Sequence, residues 1–222
     1  MKTFFCRVIA LGLFGSAVIS QAAVAANDEV NTHDPYVMIQ QVANMTFDRF
    51  KTDKELINND LGYLKVIVRE ELMPYVDYKY AAYKVMGQYL KDTTVDQRNR
   101  FVDAFEGYLV ATYAQALTEY TNQTVAFDPS SDFSNEKIVE VNVQVIEQGR
   151  PPIKIQFKTR RLKDDSWKAF DLIAEGVSLL ATKQSEISNL IRQQGIEAVI
   201  TMLNDKTQQK IDREPKKEAV AA

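Results

Sequence analysis

Apolar positions recur at two different periods along this 222-residue chain, and the change of period divides it into three parts. In the first part the spacing is helical. Asp34-Pro35 reads as a side-chain cap followed by proline at the first helical position, after which Tyr36, Ile39, Ala43, Phe47 and Phe50 share a face. Leu61, Leu64, Val68 and Leu72 line a second helix predicted over about 60–72, interrupted by Pro74. A tyrosine-rich helical pattern resumes over 75–90 with Tyr75, Tyr78, Tyr80, Tyr83 and Tyr89. Thr94 and Gln97 are spaced as a capping box and open a long helix to about Tyr120, striped by Phe101, Phe105, Leu109, Thr112 and Ala116.

From Thr124 the period becomes two. Val139, Val141, Val143 and Val145 alternate with Glu140, Asn142 and Gln144, which predicts a strand buried on one face. Ile153, Ile155 and Phe157 repeat the alternation after the turn Gly149-Arg150-Pro151-Pro152. Trp167–Ile173 follows a second turn at Asp164-Asp165, and Thr124–Phe127 supplies a further short strand. Four antiparallel strands are therefore expected. Beyond Gly176 the helical period returns in Leu180, Ile187, Leu190 and Ile191, breaks near Gly195 and resumes in Ile196, Val199, Ile200 and Leu203. Residues 205–222 are polar and read as a flexible tail. The expected fold is α+β: a twisted antiparallel sheet with helices packed on one face.

The first residues read as an address. Lys2 and Arg7 precede the apolar run Val8–Ile19, which is too short to span a bilayer, and Ala22, Ala23, Val24, Ala25 and Ala26 supply small residues. A secretory signal over residues 1–26, cleaved after Ala25 or Ala26, is expected. A single domain over 27–204 and the tail over 205–222 would remain. Cleavage removes both basic residues, no acid, and the single cysteine, Cys6, so the exported chain relies on packing rather than disulfides.

Charge and chemistry then narrow the functions. The 27 basic and 30 acidic residues leave a net charge of −3, and there is no basic face of the kind nucleic acid needs. One histidine, His33, and one cysteine leave no set of ligands for a zinc or iron–sulfur centre. Glycine-rich phosphate loops and a Gly-x-Ser-x-Gly elbow are missing from the sequence. Carboxylates at Glu70-Glu71, Asp164-Asp165 and Asp171 form no pair that spacing singles out. Asn44-Met45-Thr46 and Asn122-Gln123-Thr124 match a glycosylation triplet that arises often by chance. What remains is an apolar sheet face, Val141, Val143, Val145, Ile155 and Phe157, which closes as an ordinary core or faces a cavity under the helices.

Several stretches resemble the periplasmic phospholipid-carrier family called MlaC, also described as the toluene-tolerance auxiliary protein family. The residues are Glu71-Leu72-Met73-Pro74-Tyr75-Val76-Asp77, Gly87-Gln88-Tyr89, the region from Gln97-Arg98 to Phe105, Gly149-Arg150-Pro151-Pro152, and Trp167 through Ser178, which includes Asp-Leu-Ile-Ala-Glu-Gly-Val-Ser. The resemblance covers roughly residues 35–210 in order. It implies a monomeric cone, related in shape to nuclear transport factor, enclosing a hydrophobic pocket for phospholipid acyl chains and needing no cofactor. It also implies shuttling through the periplasm between an outer-membrane lipoprotein–porin complex and an inner-membrane ABC transporter carrying an MCE-domain ring.

With that role, the expected pocket wall adds Leu72, Tyr75, Val76, Phe101, Phe105, Leu109, Phe170, Leu172 and Val177 to the five strand residues. Arg98, Arg100 and Glu175 are the expected docking charges, since rim charges steer encounter. Two other readings stand beside it. One is a cone-fold enzyme using Asp171 and a tyrosine as acid and base. The other is a periplasmic chaperone or interaction protein whose tyrosine-rich segment 75–89 is an exposed binding surface.

Overall fold

The structure is a computed structural model and describes residues 29–120 and 123–213. The signal segment, Asn122 and the last nine residues of the expected tail lie outside the described residues. Helix α1 (Pro35–Thr52) starts as its sequence dictates: Asp34 Oδ1 accepts the amides of Tyr36 and Val37 at 2.8 and 3.1 Å. Helix α2 (Lys54–Asn59) follows directly.

The single helix expected over 60–72 is divided. Asp60 accepts the Gly62 amide at 2.8 Å and turns the chain into a short 3₁₀ segment, Leu61–Tyr63. Helix α3 (Leu64–Ile67) then widens into a π turn, Val68–Leu72, and ends in a 3₁₀ turn, Met73–Tyr75. The cause lies at Pro74, which has no amide to continue the ladder. Helix α4 (Tyr78–Met86) is capped by Asp77 and stops at Gly87, whose φ of 55° suits glycine. Helix α5 (Val95–Leu117) has the full capping box between Thr94 and Gln97.

The sheet has five strands, one more than expected: β1 (Thr124–Phe127), β2 (Ile138–Ile146), β3 (Ile153–Arg161), β4 (Trp167–Ala174) and β5 (Val177–Ser178). They form an antiparallel meander in chain order. The extra strand is two residues long, because Glu175-Gly176 turns the chain back at once, both with positive φ. Val76 adds a parallel bridge to Ala169, and the Asp77 amide donates to the Ala169 carbonyl at 2.7 Å. Helix α6 (Leu179–Gln208) closes the fold and kinks at Gly195, where φ is 79°.

Three apolar clusters form instead of one core. The first joins α4, α5 and α6 through residues such as Val85, Phe101, Phe105, Ile187 and Leu203. The second joins α1 to the sheet through Met38, Ile39, Val42, Val141, Val143 and Trp167. The third joins α1, α3, the π turn and α5, and it includes Ile211. Here the structure departs from the expected free tail. Helix α6 runs to Gln208, Ile211 is only 4% exposed, and Lys65 Nζ holds the carbonyls of Thr207 and Gln209 at 2.8 and 2.9 Å. One apolar residue in a polar stretch is enough to dock it.

Candidate functional site

Directly paired strand residues share a face, so the register decides what the sheet presents to α1. Val139 pairs with Thr159, Val141 with Phe157 and Val143 with Ile155, while Val145 pairs with Ile153. On β4, Ala169 lies opposite Thr159, Leu172 opposite Phe157 and Ala174 opposite Ile155; Val177 of β5 continues that row. This inner face changes character along its length. At one end Val139, Thr159 and Trp167 are buried beneath α1 and Phe133. In the middle Ile155, Phe157 and Leu172 are half-buried. At the other end Ile153 is 49% exposed and Val177 is 56% exposed. The sheet is sealed at the Trp167 end and open at the Val145–Ile153 end.

Between the helices, half-buried residues are shared by neighbouring clusters. Leu72 packs against both the second and third clusters, and Leu109 and Tyr78 pack against both the first and third. All three bridging residues are half-buried. Tyr113, one turn after Leu109 on α5, is half-buried as well, yet burial pushes its phenol up to about 12, with the Asp171 carboxylate adding to the shift. Its hydroxyl has no hydrogen-bond partner among the described residues. Burial also raises the Tyr75 phenol, reinforced by Glu71 and Glu29.

The expected wall residues therefore separate. Leu72, Tyr75, Val76, Leu109, Val145, Ile155, Phe157 and Leu172 are all half-buried, and Val177 shares their sheet face at its open end. Val141 and Val143 lie on the same face but are closed beneath α1. Phe101 and Phe105 belong elsewhere: they are buried between α4 and α6, their rings stacked 6.0 Å apart, in a closed cluster. The helical stripe read from sequence is one face, and its Leu109 end is half-buried. Phe170 also lies apart. It is the extra residue of a bulge opposite Lys158–Thr159, and its ring packs edge-on against Tyr80 at 5.1 Å. Arg160 covers the same tyrosine ring at 4.3 Å and pairs with Asp77 at 2.5 Å.

The expected docking charges each have a partner within the chain. Arg98 donates to the Leu90 carbonyl at 3.0 Å. Arg100 holds Glu197 of α6 through two hydrogen bonds of 2.7 Å and also Asp96, and this holds the Glu197 carboxyl down at about 2. Glu175 accepts the Lys154 amide at 2.6 Å. A larger ionic centre escaped the sequence reading: Arg49 binds Asp53, Glu71 at 2.9 Å and Glu70 at 3.0 Å, tying α1 to the π turn.

The residues named for the two other readings are engaged within the fold. Asp171 spends both carboxylate oxygens at the start of α6, accepting the Leu180 amide at 3.0 Å and the hydroxyl of the capping residue Ser178 at 2.7 Å. The tyrosines of 75–89 are half-buried against the clusters and do not form an exposed patch. His33 is exposed, with Nδ1 3.3 Å from the Asp165 carbonyl. Among the described residues no group of three His, Cys, Asp or Glu side chains is placed to hold a metal, and no helix is long and apolar enough to cross a membrane.

Residues 40–205 match the family model described as MlaC protein. The chain belongs to the MlaC family. It is 35% identical over 179 residues to the intermembrane phospholipid transport system binding protein MlaC of Haemophilus influenzae, covering 80% of this chain and 84% of that one. It is 22% identical over 167 residues to the toluene tolerance protein ttg2D of Pseudomonas putida, covering 75% and 77%. A phospholipid-binding protein from Ralstonia solanacearum, solved in complex with a phospholipid, matches with a TM-score of 0.70 at 23% identity, over 78% of this chain and 97% of that one. The MlaC fold of this chain is thus the architecture described above, with its sheet open at one end.

Proposed function

We propose that this chain is a periplasmic phospholipid carrier, not an enzyme. It shields acyl chains between α5, the π turn and the inner sheet face. The observation that supports this most directly is the apolar inner sheet face, sealed at Trp167 and left exposed at Ile153 and Val177. The names of the Haemophilus influenzae and Ralstonia solanacearum relatives support the same ligand class.

The physics suits transport. Each methylene withdrawn from water contributes ~0.8 kcal/mol, so a chain of about sixteen carbons contributes on the order of 12 kcal/mol before ordering costs. A lipid held that strongly leaves into water very slowly. Handover then requires contact with a membrane complex, and the open end at Val145, Ile153 and Val177 is where chains enter and leave. In this reading the carrier works as a monomer between an outer-membrane lipoprotein–porin complex and an inner-membrane ABC transporter with an MCE-domain ring. The head group stays at the mouth in water, so no phosphate-binding motif is required.

The test is native mass spectrometry of protein purified without detergent. Near-stoichiometric diacyl phospholipid is the expected result, and lipid-free protein under gentle conditions would overturn the carrier role.

A further inference from the structure

Residues 154–168 carry six basic side chains and two acidic ones, in a chain whose acids outnumber its bases. The fold gathers two of these cations and a third from α4 at one corner. Arg160 of β3 pairs directly with Lys168 of β4, so the two side chains share a face of the sheet. Neighbours along a strand alternate sides, so this face is the one opposite Thr159 and α1. Like charges opposed across two strands repel. The Arg160 guanidinium also lies 4.3 Å from the centre of the Tyr80 ring, and Lys84 Nζ lies 5.4 Å from the same centre. Tyr80 is the only ring among the described residues with two cations against it.

One acid answers these three bases. Asp77 pairs with Arg160 at 2.5 Å, while Lys84 and Lys168 have no ion pair among the described residues. Glu140 and Asp171, further along the same face, are committed to Lys158 at 3.3 Å and to the start of α6. Ile138 of β2, 49% exposed, pairs with Arg160 from the other side, so the row across the corner runs Ile138, Arg160, Lys168. A surplus of positive charge held together against its own repulsion calls for an anionic partner.

Its composition narrows which one. Protein interfaces are built round buried aromatic anchors, and their centres are poor in charge. Here the rings of Tyr80 and Phe170 are half-buried against each other at 5.1 Å, and what stands on the surface is cations around one aliphatic side chain. That suits a bilayer with anionic head groups, where each nearby Lys or Arg contributes and an apolar residue enters the interface. We infer that the corner formed by Lys84, Arg160, Lys168 and Ile138 docks the protein on an anionic phospholipid bilayer. The corner is separate from the lipid path, because Arg160 lies seven residues along β3 from Ile153, about 23 Å. Docking there leaves the open end of the sheet uncovered.

The experiment sediments the protein with phosphatidylcholine vesicles, with and without phosphatidylglycerol, at low and high salt. The wild type is expected to bind only the vesicles that contain phosphatidylglycerol and to come off as salt rises. Lys168→Gln should weaken binding roughly fivefold, and Lys84→Gln combined with it roughly twentyfold, with melting temperature and copurified lipid unchanged. Ile153→Glu, at the open end, should bind these vesicles as the wild type does. Equal binding to both kinds of vesicle, or lysine variants that bind as tightly as wild type, overturns the inference. Binding lost in Ile153→Glu instead puts the membrane contact at the open end and overturns it too. If the wild type ignores anionic vesicles but binds immobilised polyglutamate, and the lysine variants lose that binding, the corner serves an acidic protein and the bilayer assignment falls.

Discussion

Asp171 in β4 accepts the backbone amide of Leu180 at 3.0 Å, so a strand residue caps the first turn of α6. Its other oxygen takes the Ser178 hydroxyl, which itself accepts the Ala181 amide at 2.9 Å. One carboxylate thus ties the sheet's last hairpin to the closing helix. Removing such a cap costs about 1–2 kcal/mol. Asp171→Ala is expected to lower unfolding stability by that amount in a urea titration, with Asp171→Asn costing less because one acceptor remains. Unchanged stability in the alanine variant would show that the carboxylate does not hold the helix.

The open end of the sheet gives a second prediction. Val177 and Ile153 are half exposed or more, so a glutamate at either position meets water and leaves folding intact. Against acyl chains the same carboxylate must be desolvated or neutralised. Val177→Glu and Ile153→Glu should melt within a few degrees of wild type yet carry clearly less copurified phospholipid. Folded variants with full lipid content would place both side chains outside the lipid's path. Val143→Glu, buried beneath α1, is expected to unfold instead.

A third prediction separates closed core from pocket. Phe101 is fully buried between α4 and α6, and deleting such a ring typically costs about 3–5 kcal/mol. Leu109 is half-buried between the first and third clusters, so Leu109→Ala should destabilise less. The expected pattern is a large stability loss with retained lipid for any Phe101→Ala that folds, and the reverse for Leu109→Ala. Equal losses of stability would argue that Leu109 is core as well.

The fourth concerns pH. Arg100 holds the Glu197 carboxyl at about 2, below its ordinary 4.5. The unfolded chain therefore takes up that proton first as pH falls, so the contribution of the pair is complete above 4.5 and is lost between there and 2. Both partners are exposed, so the effect is modest and weakens with salt. Glu197→Gln should flatten the loss of melting temperature across this window relative to wild type, and parallel curves would remove the pair from the account.

Local order was legible in the chain itself. The cap at Asp34, the box at Thr94 and Gln97, the alternation of Val139 to Val145 and the break at Gly195 all act within a few residues, where backbone sterics and hydrogen-bond geometry decide the outcome. Sequence alone also showed the apolar sheet face and, through its resemblance, the family. It did not determine which apolar residues close and which stay open. Phe101, Phe105 and Leu109 lie on one helical stripe, yet the first two are buried in the first cluster and the third is half-buried at the junction of two clusters. The bulge at Phe170 turned an apparent wall residue onto Tyr80, and Ile211 docked a stretch that reads as solvated. Burial of this kind depends on partners remote in sequence, so tertiary packing decided which of these positions close and which stay open.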